Sequence, residues 1–218
     1  MTIRHHPDAA TLVAYAAGAA SEAVALVVAC HLAYCGRCRY EAANAEMIGG
    51  LLLDAIVPAA VSARSRNQIL ARLDEPRPLD VARAAFAANA WMPAPLRPYL
   101  DADWRQARWR RLAPGIRHLP LVSGPPERRG TARLVWAAPG RGLPSHFHGG
   151  SELTLVLAGS FSDHIGRFAP GDVSELDGSV VHRPVAGPEG DCICLLASEG
   201  DMKPVGRLAR MLMRRLDL

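Results

Sequence analysis

The sequence predicts an α + β protein of two domains, with helices in the N-terminal part and an all-β sandwich or barrel in the C-terminal part. From Asp8 to about Leu73, apolar residues recur at helical spacing in a stretch rich in Ala, Leu and Val. Prolines at five positions between 76 and 98 then interrupt any long regular element. After Leu100, short β-prone segments, such as residues 131–137 and 153–157, alternate with Pro-Gly, Gly-Gly and Asp-Gly turns. We therefore expect a helical domain with a Pro-rich linker over residues 1–95 and a β domain over 96–218.

Composition narrows the class of protein. The chain has 218 residues, of which 50% are hydrophobic. No apolar run approaches the roughly 18 residues that a membrane helix needs, and the N-terminus lacks a stretch typical of a signal peptide. The five cysteines, an odd number, suit a reducing compartment better than a disulfide framework. We expect a cytoplasmic protein with no membrane contact, and the net charge of +4 by itself identifies no partner.

Cap residues and prolines divide the helical part into four expected helices, over residues 8–16, 21–34, 37–56 and 62–73. Asp8 and Ser21 are suited to capping the first two, and Pro58 ends the third. The Ala-rich second helix carries more apolar surface than a small bundle requires, around Val24, Leu26, Val27, Val28 and Leu32. Part of this surface is expected to contact a partner, and at least half of these residues are expected to close the bundle instead. The residues 81–86 of the linker are typical of a short amphipathic helix, which would pack on a domain or dock on a partner. The apolar positions expected to face the core on the third and fourth helices are Met47, Leu51, Ile56, Ile69, Leu70 and Leu73.

The first candidate metal site contains His31, Cys35 and Cys38. They stand at i, i+4 and i+7, which at about 100° per residue places all three within one stripe of a helix face. Cysteine and histidine are typical zinc ligands, and a tetrahedral zinc ion needs a fourth ligand, which His5 or His6 would supply from the start of the first helix. The alternative is a buried cysteine pair with unrelated histidines.

The spacing of His6, His31, Cys35 and Cys38 in a four-helix N-terminal domain resembles that of the zinc-dependent anti-sigma family. Members of that family wrap a sigma factor of the extracytoplasmic-function (ECF) class and prevent it from joining core RNA polymerase. The resemblance implies that these four residues are zinc ligands, with His5 the competing candidate for His6. Family members differ in whether the cysteine pair is a redox switch or the zinc is structural, and we expect a structural zinc.

The second candidate metal site lies in Gly140-x5-His146-x-His148-x3-Glu152-x6-Gly159, which matches the first cupin motif at every spacing. Residues two apart in a strand point to the same face, so His146 and His148 can both enter a barrel. Glu152 would join them from the far side of the Gly149-Gly150 turn. The alternative is a jelly roll in which these polar residues are hydrogen-bonded without a metal.

His182 sits where the second cupin motif places its histidine. That motif is weaker here, because Asp177, Ser179 and Ala186 replace its usual Pro, Gly and Asn. Three imidazoles and one carboxylate suit Zn²⁺ or another divalent ion. Downstream, Cys192 and Cys194 alternate in a strand-like segment, where they are either small core residues or a redox pair beside the metal pocket; the remaining histidines, His118 and His164, match neither motif.

A zinc anti-sigma motif followed by a cupin in one chain resembles the ChrR anti-sigma factors over nearly the whole sequence. The resemblance implies that the helical domain inhibits an RpoE-like ECF sigma factor and that the cupin domain releases it in response to singlet oxygen and related oxidants. It implies no enzymatic activity, no catalytic residue and no direct nucleic-acid contact. The alternatives are a metal-dependent cupin enzyme, such as a dioxygenase or isomerase, and a DNA-binding regulator. No motif places an acid, base or nucleophile, and no basic recognition helix precedes Ile56.

Overall fold

The computed structural model describes residues 2–74, 92–100, 104–123 and 130–205. Within these ranges, helices come first and antiparallel strands follow, which confirms the predicted fold class. The expected helix at 81–86 lies outside the described residues, as do Pro76 and Pro78. None of the described helices is both long and apolar enough to cross a membrane. The α-helices are α1 Ala9–Ala16, α2 Glu22–Tyr34, α3 Gly36–Asp54 and α4 Ala63–Ala71, with 3₁₀ helices at Arg72–Asp74, Ala94–Tyr99 and Trp104–Gln106.

The caps explain where the helices begin, and all four lie within two residues of their expected bounds. Ser21 caps α2 by accepting a hydrogen bond from the backbone N–H of Val24, and Ser62 caps α4 in the same way. Asp8 precedes α1 without a side-chain cap; instead its backbone N–H donates to Glu175 of the β part. The first helix is therefore attached to the β part of the chain from its first turn.

The β part consists of one large and two small antiparallel sheets. The large sheet has the strand order β1-β2-β3-β10-β5-β8, and the small sheets have the orders β11-β4 and β7-β6-β9. Backbone bridges join Gly142 to Val185 and His146 to His182 across the loops of the small sheets. The strands are β1 Arg110–Ala113, β2 Ile116–Val122, β3 Thr131–Ala137, β4 His146–His148, β5 Glu152–Ala158, β6 Phe161–Ser162, β7 Arg167–Phe168, β8 Val173–Leu176, β9 Val185–Ala186, β10 Cys192–Ser198 and β11 Met202–Pro204.

The large sheet is buried on both faces. Glu152 and Thr154 of β5 face a cavity, whereas Leu153, Leu155 and Leu157 face the opposite side. Helix α2 packs on that opposite side against β3, β5 and β10, so helices and sheet share one hydrophobic core. The expectation that part of the α2 surface contacts a partner is wrong for the buried residues Val24, Leu26, Val27 and Val28, because the sheet covers them. Leu32, also on α2, is half-buried against the same core.

The 3₁₀ helix Ala94–Tyr99 packs against α2, and its Leu96 is fully buried in the shared core. The predicted domain boundary after residue 95 falls inside this element. The helices and the sheet share one continuous core across this boundary. The division into residues 1–95 and 96–218 therefore stays a prediction about which part of the chain performs which function.

The expected core faces of the third and fourth helices are wrong. Met47, Leu51 and Ile56 are 66%, 70% and 64% exposed. Ile69 and Leu73 are 61% and 74% exposed, and Leu70 also lies open to solvent. The C-terminal half of α3, the following loop and α4 extend away from the core, so no described element covers their apolar side chains. We call residues 47–73 the helical arm.

Candidate metal centres

Four side chains from three segments meet beside the junction of α2 and α3. The ligand atoms of His6, His31, Cys35 and Cys38 all lie within 4.8 Å of one another. His6 Nδ1 is 3.4 Å from the Cys35 Sγ and 3.3 Å from the Cys38 Sγ. His31 and both cysteines are buried, and His6 is half-buried. Two thiols and two imidazoles at these distances can hold a metal ion in a tetrahedral site.

The prediction that His31, Cys35 and Cys38 share one continuous helix face is wrong. Cys35 has φ −104° and ψ 106°, so it ends α2 and becomes the N-cap of α3. Its Sγ accepts a contact of 3.5 Å from the backbone N–H of Cys38, in the first turn of α3. The chain changes direction at Cys35, and the ligands come from the end of one helix, the junction and the start of the next.

His31 is oriented by the β part of the chain. Its Nδ1 donates a hydrogen bond of 2.9 Å to the backbone carbonyl of Gly171, in the turn before β8. Its Nε2 is buried without a hydrogen-bond partner among the described residues. Burial lowers the pKa of His31, which keeps the ring neutral. A neutral imidazole with one nitrogen donating to a carbonyl and the other free is the usual state of a metal ligand.

The same turn holds the segment that carries His6. The carboxylate of Asp172 accepts hydrogen bonds from the backbone N–H groups of Arg4, at 2.7 Å, and His5, at 3.0 Å. The backbone N–H of Val173 donates to the carbonyl of His5 at 3.1 Å, so this segment runs beside the edge strand β8. The His5 ring packs on Phe168, with ring centroids 4.5 Å apart. The structure thus places His6, rather than His5, beside the thiols.

Asp172 was not among the predicted site residues. Its sequence signal, Pro170-Gly171-Asp172, indicated only a turn, and its partners lie more than 160 residues earlier in the chain. Only the fold reveals that this turn touches both His31 and the His6 segment.

The surroundings of Cys38 oppose ionisation of its thiol unless a cation lies beside it. Burial, together with the contact from Cys35, raises the pKa of Cys38 to about 12. A thiolate at neutral pH therefore requires a positive charge nearby, and a metal ion bound by all four ligands would supply it. The donor set of this site fits a metal.

The second cluster lies inside the β part. The ligand atoms of His146, His148, Glu152 and His182 lie within 4.8 Å of one another, and all four residues are buried. Strand β4 supplies the first two histidines, β5 supplies Glu152, and the backbone bridge to His146 positions His182. The Nε2 atoms of His146 and His182 are 2.9 Å apart, and His148 Nε2 is 2.7 Å from a Glu152 oxygen. Three imidazoles and one carboxylate thus converge on one point.

The charges in this cluster suit a divalent cation. Burial lowers the pKa of His146 to about 4, and its Nδ1 donates to the Pro144 carbonyl at 2.8 Å, which turns Nε2 towards His182 in the cluster. Burial opposes the ionisation of Glu152, but contact with His148 and the nearby charges of the other two histidines lower its pKa overall. A buried carboxylate with a lowered pKa among three imidazoles is a donor set that fits a divalent ion.

A cavity of about 320 Å³ opens from this cluster into the interior between the sheets. Cys192 and Cys194 line it, with their Sγ atoms 3.6 Å apart and no disulfide between them. The hydrogen bond with Cys192 and burial raise the pKa of Cys194, so Cys194 is in the thiol form at neutral pH. This position is compatible with both interpretations of Cys192 and Cys194 from the sequence, either as small core residues or as a redox pair.

His118 also lines the cavity, outside the ligand cluster, whereas His164 is exposed. Burial, followed by the charges of Arg133 and Arg110, lowers the pKa of His118 to about 4. Because the unfolded chain takes up this proton near pH 6.5, the free energy of unfolding should fall as the pH drops from about 6.5 towards 4, by up to about 3 kcal/mol for this residue.

This pH dependence is tested by urea denaturation of the wild type and a His118→Phe variant at several pH values. The metal-ligand histidines are common to both proteins, so the difference between the two curves reports His118 alone. The variant should lose less stability below pH 6.5. Parallel curves would show that the pKa of His118 is the same in the folded and unfolded protein, and would contradict this prediction.

Known proteins are similar to this chain both in its β part and over nearly its whole length. Residues 100–200 match the family model of the ChrR cupin-like domain. The chain is 42% identical over 203 residues to the anti-sigma-E factor ChrR of Cereibacter sphaeroides, and the alignment covers 93% of each protein.

The fold is also similar to a chain in the crystal structure of Rhodobacter sphaeroides SigE in complex with the anti-sigma ChrR. The TM-score is 0.77 at 42% identity, and the match covers 90% of this chain and 99% of that one. Identity at this level across both the helical and the β parts extends well beyond a shared cupin fold. The chain belongs to the ChrR family of anti-sigma factors.

Proposed function

We propose that this chain binds an ECF sigma factor and prevents it from joining core RNA polymerase. The observation that carries the proposal is the identity of 42% to the anti-sigma-E factor ChrR over 93% of both chains. A structurally similar chain occurs in a complex of ChrR with SigE. Membership of this family favours a regulator over a cupin enzyme or a DNA-binding protein. Because sigma factors act on RNA polymerase, the proposal also places the chain in the cytoplasm.

The helical arm is the surface that we assign to the sigma factor. Apolar side chains on α3, such as Ile48, Leu51, Leu52 and Leu53, are each more than 60% exposed. The loop and α4 continue this apolar character through Val57, Val61 and Ile69. A contiguous exposed apolar surface of this kind marks a protein interface, because such a surface is costly to leave in water. In this proposal, residues 1–95 bind the partner and residues 96–218 sense the signal.

We propose Zn²⁺ for the helical site, held by His6, His31, Cys35 and Cys38, and Zn²⁺ or another divalent ion for the cupin site. Two thiolates with two imidazoles are a typical zinc donor set. When bound, the first ion would hold the N-terminal segment against the junction of α2 and α3. That junction sets the direction of α3, and α3 leads into the helical arm.

We further propose that the cupin half controls release in response to oxidants such as singlet oxygen. Strand β5 carries Glu152, and its Val156 exchanges backbone hydrogen bonds with the turn at Gly171 and Asp172, at 2.8 and 3.0 Å. The same turn accepts the hydrogen bond from His31. A displacement of β5 at the cupin site would therefore reach a proposed zinc ligand through two hydrogen-bonded contacts.

A reconstituted transcription assay tests the proposed function. The zinc-loaded chain, mixed with the ECF sigma factor encoded beside its gene, should suppress transcription from that factor's promoter when core polymerase is added last. It should have no effect on transcription that depends on the housekeeping sigma factor. Full activity of the ECF sigma factor at saturating amounts of the chain would refute the proposal.

Replacement of Asp172 tests the contact between the two halves of the chain. An Asp172→Asn variant should lose zinc from the helical site about tenfold more readily, because the segment that carries His6 loses a charged acceptor. The readout is the rate at which Cys35 and Cys38 become alkylated in the presence of a chelator, resolved by site with mass spectrometry. The matched control is Asp177→Asn, which also alters a carboxylate that accepts a backbone N–H in a turn. Equal rates for both variants would contradict this role of Asp172.

A further inference from the structure

We propose that the cavity of the cupin half binds a small organic carboxylate, whose negative charge is met by the guanidinium of Arg133. The inference concerns this cavity alone and does not depend on binding of a sigma factor. It assigns a role to a charged side chain that neither metal cluster uses.

Strand alternation directs Arg133 into the cavity. On β3, Arg133 and Val135 line the cavity, whereas Leu134 between them is fully buried in the core shared with the helices. In the paired strands, Leu196 of β10 lies opposite Arg133, and Thr154 of β5 lies opposite Leu196. Arg133 therefore belongs to the row of inward-facing residues next to the row that ends in Glu152.

The charge of Arg133 has no close counter-ion in the part of the chain that the structure describes. Among the described residues, no carboxylate oxygen lies within 4 Å of its guanidinium, and the hydrogen bond that it makes is to the Thr131 hydroxyl, at 3.3 Å. Burial lowers the pKa of Arg133, and the more distant charge of Glu152 offsets this only in part. An arginine remains protonated even so, and a part-buried, unpaired guanidinium favours an anion.

The proposed metal ion would add to this preference. A divalent ion held by Glu152 and three neutral imidazoles would keep one net positive charge, and Arg133 contributes a second. Both charges would face the same cavity, whose largely apolar walls strengthen attraction to an anion.

The cavity walls indicate the rest of the ligand. Leu112, Ile116, Val122, Val135 and Leu196 contribute an apolar lining. Arg141 and Asp201 also border the cavity, but both are exposed, so Arg133 is the more enclosed of the two arginines. A volume of about 320 Å³ lies at the lower end of the range for small-molecule sites, which is roughly 300–1,000 Å³. A carboxylate with a short apolar body matches the charge, the lining and the size.

The test uses the purified full-length chain with its bound metal and sodium hexanoate as the probe. Isothermal titration calorimetry should show hexanoate binding at least tenfold tighter than 1-hexanol, which has the same apolar body without the charge. This comparison requires no variant. Equal affinity for the two compounds, or no binding of hexanoate, would overturn the proposal.

A variant then assigns the contact to Arg133. Arg133→Met should weaken hexanoate binding at least tenfold, and Arg133→Lys, which keeps the charge, should lie between the two. The matched control is Arg117→Met on β2, because the exposed guanidinium of Arg117 lies over the Trp136 ring, outside the cavity. Metal content and melting temperature verify that each variant is folded. Hexanoate bound as tightly by Arg133→Met as by the wild type would show that the metal alone holds the carboxylate, and would overturn the assignment.

Discussion

A Cys38→Ser variant is expected to lose zinc from the helical site and to bind its sigma factor at least about 100-fold more weakly than the wild type. Cys38 is fully buried, and its Sγ lies 3.3 Å from His6 Nδ1 at the centre of the four-residue cluster. The cluster joins the N-terminal segment, the end of α2 and the start of α3. Helix α3 also packs against α1, but its buried residues are confined to its first two turns, so the ion would fix the helix where it leaves the core.

This effect is measured by titrating sigma factor onto the wild type and the variant, alongside elemental analysis of zinc. The matched control is Cys30→Ala. Cys30 is also fully buried, on α2, but lies outside the cluster, so this variant should keep both its zinc and its affinity. If Cys38→Ser bound the sigma factor as tightly as Cys30→Ala does, the zinc site would have no part in the interaction.

A Leu52→Asp variant is expected to weaken sigma binding about 30-fold or more while leaving both metal ions in place. Leu52 is 67% exposed on α3, in the middle of the helical arm. A charge at this position costs the free chain little, because the side chain is already in water. In a complex that buries the arm, the same charge would be removed from water without a partner, and the loss of one such contact costs about 2 kcal/mol or more.

The control for Leu52→Asp is Val205→Asp, an exposed apolar residue directly after β11, far from the arm in sequence. Melting temperature and metal content should match the wild type for both variants. Only the Leu52 variant should lose affinity. Equal losses, or none for Leu52→Asp, would mean that the sigma factor contacts another surface.

Most of the secondary structure was predictable because its signals are local. Ser21 and Ser62 mark the starts of two helices, and the strands from Thr131 and Glu152 lie close to where their β-prone segments placed them. The residues of both metal clusters were also predictable, since ligand spacing is written in the sequence even when the ligands meet from distant segments.

The predictions of which residues are buried were wrong where burial depends on what covers an apolar helix face. Periodicity showed that α2 and α3 each have apolar residues, but it does not say whether a sheet, a neighbouring helix or another protein buries them. As a result, Leu51 was expected in the core and is exposed, whereas Val27 was counted among candidate interface residues and is fully buried under the sheet.

Contacts between the two halves were out of reach of sequence reasoning. The hydrogen bond from His31 to Gly171 joins residues separated by 140 positions, and neither residue type signals the other. Arg133 was likewise unremarkable in sequence, as one arginine in a β-prone segment. Its position in the cavity follows from the register of β3 with β10, which only the fold determines.

The central claim is that a chain with two metal-bound sites captures a sigma factor. Native mass spectrometry of the metal-loaded chain mixed with the ECF sigma factor encoded beside its gene tests this most directly. The account predicts a 1:1 complex whose mass includes two metal ions, one for each ligand cluster. Detection of the two proteins only as separate species, or of a complex that contains no metal, would contradict it.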